Sequence, residues 1–300
     1  MRTIAPTARI LYVGLDPAGE ECFRQLIAAG AKQFTILNDK ILDEADVARN
    51  PWLSAGVGEP VAKGIAGHLA KYDVTVETRV ENPLLTEDVL SFSLAITMNA
   101  PREVEVFLGK ILYEAPPRAL IISRCDGFNV KMRSQYRSHK NLDDSTVIEG
   151  IDLVPHPEDA TPEKCERVSA LLKEQFDLSS PSFQSGAALL YAAGAVFASV
   201  KGYQPAHRPG AVTLPGHEGE VIALIESIKA EKGLTVSVDE EDVRSCLANG
   251  FTGVPFTATL MGGMIAGEGI TLLSSRGKPI NVAIADLLAR CALGIPASTV

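Results

Sequence analysis

Six positions after the first apolar run, Gly14, Leu15, Asp16, Pro17, Ala18 and Gly19, stand in the frame where a nucleotide-binding fold carries Gly-x-Gly-x-x-Gly. That frame does chemistry through its backbone: the middle glycine lets the chain approach a phosphate, and the amides of the following helix N-terminus attract it. The outer glycines are present here, but the middle position is Asp16, and Pro17 has no amide proton to offer. Aspartate is a strong N-cap and proline suits the first helical position, so the helix end can satisfy itself with its own carboxylate. A phosphate at the same place would meet a like charge, at a cost of about 4 kcal/mol for an effective dielectric near 20. The expectation is a capping turn in a fold of nucleotide-binding ancestry, not a working phosphate cradle. The end of the second strand agrees. Where a carboxylate would hold ribose hydroxyls the chain has neutral Asn38, and Asp39 follows on the opposite face of the strand.

Other reactive residue types form no pattern. Cys22, Cys125, Cys165, Cys246 and Cys291 are scattered, without a CxxC pair, which argues against a disulfide framework and a zinc clasp and fits a reducing compartment. Each is expected in the core, since none has a neighbouring His or basic motif to lower its pKa. His68, His139, His156, His207 and His217 lack metal-ligand spacing and are expected on the surface or in loops. Lys131, Arg133, Arg137, His139 and Lys140 read as a solvated strand and loop, with an acidic partner surface as the alternative. Gly262 and Gly263, inside an apolar helix, permit close approach of either a helix of the same chain or a partner subunit.

These residues need a sheet and helices to position them. Three hundred residues with 46% hydrophobic content allow one large core. Strands are predicted at Ile10–Leu15, Phe34–Asp39, Val74–Val80, Leu94–Met98 and Ala119–Cys125. Amphipathic helices are predicted between them at Pro17–Ala29, Val57–Tyr72 and Arg102–Glu114, with Gly30 ending the first. Alternating strands and helices mean a Rossmann-like, doubly wound, mainly parallel α/β sheet with helices on both faces. Past residue 126 the pattern changes. GFNVKMRSQYR alternates like an antiparallel strand, KNLDDSTVIEG reads as a polar loop, and the rest is largely helical. The helices fall at Thr161–Phe176, Pro181–Lys201, Gly219–Lys232, Asp239–Ala248 and Phe256–Leu273, and the run Ile280–Ala285 is expected to return as a strand to the main sheet. The chain thus divides into residues 1–126, 127–160 and 161–300, the last completing the same domain. A net charge of -9 disfavours nucleic acid and anionic lipid. No run approaches the ~20 apolar residues of a membrane span, and the apolar run in the opening stretch is too short for a signal peptide.

The stretch from Ile10 to Leu69 resembles the adenylation domain shared by bacterial sulfur-carrier adenylyltransferases and eukaryotic ubiquitin-activating enzymes. The matching parts are Gly14 and Gly19, the FTILND strand, Arg49 in DEADVARN, and Gly58 with Pro60 in VGEPVA. EVIALIESIKAEKGLTVSVDEEDVRSC, PFTATLMGGMIAGEGITLLS and INVAIAD are similar to the closing segment of the non-catalytic half in this superfamily, and SFQSGAALLYAAGAVFASVKGYQP to the helical segment before it. The resemblance implies that an active half would carry an acidic ribose ligand, a lysine near Val61 and an aspartate within Thr97–Glu103. Here Asn38 and Val61 stand instead, TMNAPRE has no aspartate, and Arg49 remains.

The resemblance therefore implies an inactive half, most similar in size and tail to the small subunits of SUMO-activating enzymes. Such a chain would bind no cofactor of its own. It would form a heterodimer with a catalytic subunit that holds ATP and magnesium and acts on SUMO or a related modifier, in nucleus and cytoplasm. Arg49, Gly262 and Gly263 would be candidates for the partner interface. These inactive subunits typically begin with a YDRQIRLWG-like helix, for which Arg2 and Arg9 are poor replacements. The alternatives are a regulatory subunit of a NEDD8-type activating enzyme, a free-standing Rossmann-type NAD(P) enzyme and a homodimeric scaffold.

Overall fold

The computed structural model describes residues 3–79, 86–100, 102–126, 129–150, 218–233, 235, 237, 240, 241, 244, 255–286 and 291–296. Strand β1 (Arg9–Gly14) lies in the middle of the parallel part of the sheet, pairing in parallel with β2 (Gln33–Leu37) on one side and β4 (Leu94–Met98) on the other. β3 (Thr75–Arg79) extends the sheet beyond β2, and β5 (Ala119–Asp126) extends it beyond β4, both in parallel. Three antiparallel strands complete the far side: β6 (Asn129–Tyr136) on β5, β9 (Ile280–Asp286) on β6 and β10 (Cys291–Pro296) on β9. The sheet order is therefore β10-β9-β6-β5-β4-β1-β2-β3. This is a Rossmann-like α/β fold.

The period of two along β1 distributes its side chains to two cores. Ile10 and Tyr12 face α1 (Ala18–Ala28), α3 (Val61–Leu69) and a long helix, α7 (Pro255–Ser274). Leu11 and Val13 face α4 (Thr86–Val89) and α5 (Arg102–Tyr113). Both sets are buried, which is why the strand reads as a continuous apolar run rather than an alternation with polar residues. Helix α1 stops at Gly30, whose φ of +108° is left-handed; the amide of Ala31 bonds back to Leu26 O at 3.0 Å, closing the helix end.

The predicted strand and helix positions hold with end shifts of one or two residues, except for one shortened helix, two short helices (α4 among them), a small hairpin and the last strand. The helix expected at Val57–Tyr72 occupies only Val61–Leu69, because Gly58 is left-handed at φ +86° and Pro60 is extended. A short helix, α2 (Glu44–Arg49), precedes it, nucleated by an Asp43–Asp46 capping box. The polar segment expected to be a loop forms the turn and second strand of a small hairpin, β7 (Ser138–Lys140) with β8 (Val147–Glu149), with Ser145 in the left-handed region at φ +61°. Strand β10 had no counterpart in the sequence reading. Helix α6 (Glu218–Lys232) matches its expected position, whereas the helices expected at Thr161–Phe176 and Pro181–Lys201 and most of Asp239–Ala248 lie outside the described residues.

Two histidines correct the expectation of surface positions. His68 is buried in an aromatic stack, edge-on to Trp52 at 5.1 Å, and burial followed by the nearby Lys71 charge lowers its pKa. His139 is also buried, with Nε2 3.1 Å from Gly277 O. Cys22 is fully buried, which raises its thiol pKa far above the ordinary range and makes it inert. Among the described residues, no helix is long and apolar enough to cross a membrane.

Candidate functional site

In a doubly wound sheet, ligands bind outside the C-terminal strand ends where the chain direction of winding reverses. Here that point lies between β1 and β4, since β2 and β3 continue on one side and β4 and β5 on the other. The turn after β1 carries Asp16, between Gly14 at the end of β1 and Gly19 in the first turn of α1, and the loop after β4 carries Asn99.

The two loops are tied together across the crevice. Asp16 is 5% exposed; its Oδ1 accepts the Ala18 amide at 2.8 Å, and its Oδ2 accepts Asn99 Nδ2 at 2.5 Å. The Asp16 carbonyl also accepts the Gly19 amide at 2.9 Å, while Pro17 already has helical angles, φ -53° and ψ -27°. One carboxylate oxygen therefore holds the Ala18 amide and the Asp16 carbonyl holds that of Gly19, so the turn caps itself as expected. Asn99 reaches it from a left-handed backbone, φ +54°, which Asn tolerates better than most residues. Its amide bonds Ser123 O at 3.3 Å, and Ser123 Oγ bonds Thr97 O at 3.0 Å, so β5 steadies the β4 loop.

Both outer glycines have packing reasons to be there. Gly14 has φ +99°, and a Cβ on it would sit 2.0 Å from Met98 O, so β1 and β4 approach closely at their ends. A Cβ on Gly19 would sit 2.6 Å from Tyr12 Oη and 3.2 Å from the Trp52 ring. Tyr12 is fully buried beneath, with its hydroxyl donating to Met98 Sδ at 3.2 Å; burial, then the Asp16 charge, raises its pKa well above the ordinary value.

The remaining candidates lie around this centre. Asn38 is buried, and its Oδ1 accepts the Lys40 amide at 2.9 Å, so the atom that would meet a ribose hydroxyl is closed on the chain itself. Asp39, two residues past the end of β2, is exposed. Lys40 turns inward to Asp46 at 2.6 Å, whose side chain is almost fully buried. Arg49 is half-buried at the last position of α2. Val61 is wholly buried at the start of α3. Gly262 of α7 presses on the first turn of α1, where an added Cβ would be 2.4 Å from Ala18 O and 2.8 Å from Glu21 Cβ. Its neighbour Gly263 is looser, at 3.3 Å from Gln25 Nε2.

The structure thus brings together Gly14, Asp16 and Gly19, sets Gly262 behind them, and leaves Asn38 and Arg49 on the neighbouring β2 and α2 elements. The residue that sequence reading missed is Asn99. Its position within TMNAPRE was read only for the aspartate it lacks; an Asn directly after a buried strand end was the available sign of a left-handed turn residue. Among the described residues, no group of three or more His, Cys, Asp or Glu side chains is placed to hold a metal ion. The chain matches no protein-family model and no curated protein.

Proposed function

We propose that this chain is the non-catalytic subunit of a heterodimeric SUMO-activating enzyme. Its partner holds ATP and magnesium, adenylates the modifier's C-terminal carboxylate and takes it onto a cysteine. This chain completes the dimer core. The observation that carries the reading is the Asp16 carboxylate bonded to Ala18 N and Asn99 Nδ2, where an active half needs phosphate contacts. Buried Val61 and self-bonded Asn38 support it, since phosphoryl chemistry depends on an electrostatic clamp that these residues do not supply. Retention of a Rossmann-like fold beside such losses fits a scaffold maintained for its shape. Because Gly262 already packs on α1, Arg49 and Gly263 are the positions offered to the partner. The complex would act in nucleus and cytoplasm.

The test is co-purification from the native cell followed by reconstitution. The expected result is a near-equal complex with a larger adenylating subunit, and modifier adenylation that needs both chains. Recovery of this chain only as monomer or homodimer, or with a partner that has no adenylating activity, would overturn the reading.

A further inference from the structure

The N-terminal end of the parallel strands, opposite the switch-point crevice, carries an open cleft of about 300 Å³, near the lower limit of cavities that bury small ligands. Three turns entering three adjacent strands build it: Thr7 and Ala8 before β1, Ser91 to Ser93 before β4, and Pro117 and Arg118 before β5. The C-terminal end of α7 forms the facing wall through Leu272 and Leu273.

We propose that this cleft binds a small organic monoanion, a carboxylate carried on an apolar body. Arg118 is the one charged side chain among the described lining residues. Its Nε donates to Leu90 O at 2.8 Å and its Nη1 to Ala115 O at 3.4 Å, which fixes the guanidinium plane. A guanidinium has five N–H donors, so these bonds leave the Nη2 side for a ligand oxygen. Ser93 and Ser275 add hydroxyl groups, while Leu272, Leu273 and Pro117 supply the apolar wall. A carboxylate on an apolar group matches both halves of this lining. Asp88, whose carbonyl holds Ser91 Oγ, turns its own side chain to Arg79 at 3.2 Å. A dianion fits less well: the single guanidinium balances one charge, and the C-terminal end of α7, which lines the cleft, opposes a second with its negative dipole end. This inference stands apart from the proposed function, because it uses no residue of the switch-point crevice.

The experiment is ligand-observed saturation-transfer NMR on the full chain, with benzoate as probe and benzamide as its uncharged counterpart. Saturable benzoate binding with Kd about 1 mM is expected, with benzamide about tenfold weaker, the loss of one charge-assisted bond. Arg118→Met should abolish the signal. Since Arg118 also holds two backbone carbonyls, Leu273→Trp is the second variant; it fills the cleft from the α7 side and leaves the guanidinium in place. Binding should be lost there too. The proposal is overturned by absence of saturation at about 10 mM benzoate, by equal binding of benzamide, by binding that survives both variants, or by sulfate displacing benzoate better than acetate does.

Discussion

Asp16 and Glu268 are both buried carboxylates, 5% and 4% exposed, yet their surroundings differ in kind. Asp16 sits at a helix N-terminus and accepts separate donors on its two oxygens, from Ala18 N and Asn99 Nδ2. Glu268, in the middle of α7, accepts one amide with both oxygens, that of Ile280 at 3.0 and 2.9 Å. Burial pushes the Glu268 pKa up to about 7, tempered by the Ile280 amide and by the nearby Ser134 hydroxyl. Tyr136, on the neighbouring strand, has its own pKa raised, first by burial and then by the Glu268 charge. Two buried acids therefore do opposite things. One is provided with donors and ties the loops after β1 and β4 together, and the other is under-provided and makes the α7–β9 connection sensitive to pH.

The largest effect is expected where the crevice is tightest. Gly14→Ala places a methyl 2.0 Å from Met98 O at a left-handed residue, φ +99°. It should cost about 4 kcal/mol or more, read as a lower denaturation midpoint in urea. A loss under about 1 kcal/mol would mean that β1 and β4 do not meet as closely as described.

Glu268→Gln comes next and separates the two carboxylates directly. A carboxyl whose pKa in the folded protein is raised from 4.5 to about 7 favours the fold below pH 4.5. That advantage is lost as the pH climbs through about 7, after which the stability difference is constant. Glutamine still accepts the Ile280 amide and does not ionise. At pH 8 the variant should therefore be more stable than the parent by roughly 3 kcal/mol, and the fall in stability between pH 5 and 7 should flatten. An unchanged pH profile would show that Glu268 is not the group responsible.

A smaller cost, about 1–2 kcal/mol each, is expected for Asp16→Ala and Asn99→Ala. Measured as a double-mutant cycle, the pair should show coupling of about 1 kcal/mol or more if the two loops are joined through this bond. Additive losses would leave them as independent turn residues. Gly262→Ala should cost a similar amount, about 1–3 kcal/mol, because its methyl meets the Ala18 carbonyl at 2.4 Å.

The sheet was legible in the sequence because buried parallel strands are short apolar runs, as at Leu94–Met98, where the predicted and observed limits coincide. The Asp16–Pro17 cap was legible for the same kind of reason, since capping depends on residues adjacent in the chain. The other half of the closure was not. Asn99 lies 83 positions from Asp16, and no local pattern announces a side chain that acts across the sheet. His68 and His139 misled in the opposite sense: a lone polar residue reads as surface, but the rings are buried by Trp52 and by the Gly277 turn, partners distant in sequence. The β7–β8 hairpin was missed because its strands are three residues each, too short for alternation to register.

Isothermal titration of the purified chain with ATP and magnesium tests the closed crevice most directly. The expected result is no saturable heat up to about 1 mM nucleotide, unchanged in Asp16→Ala, since removing one carboxylate does not restore the missing clamp. Saturable binding to the unmodified chain, lost when Gly14 or Asn99 is altered, would contradict the account: the crevice would then open to a ligand, and the protein would be a nucleotide-binding subunit in its own right.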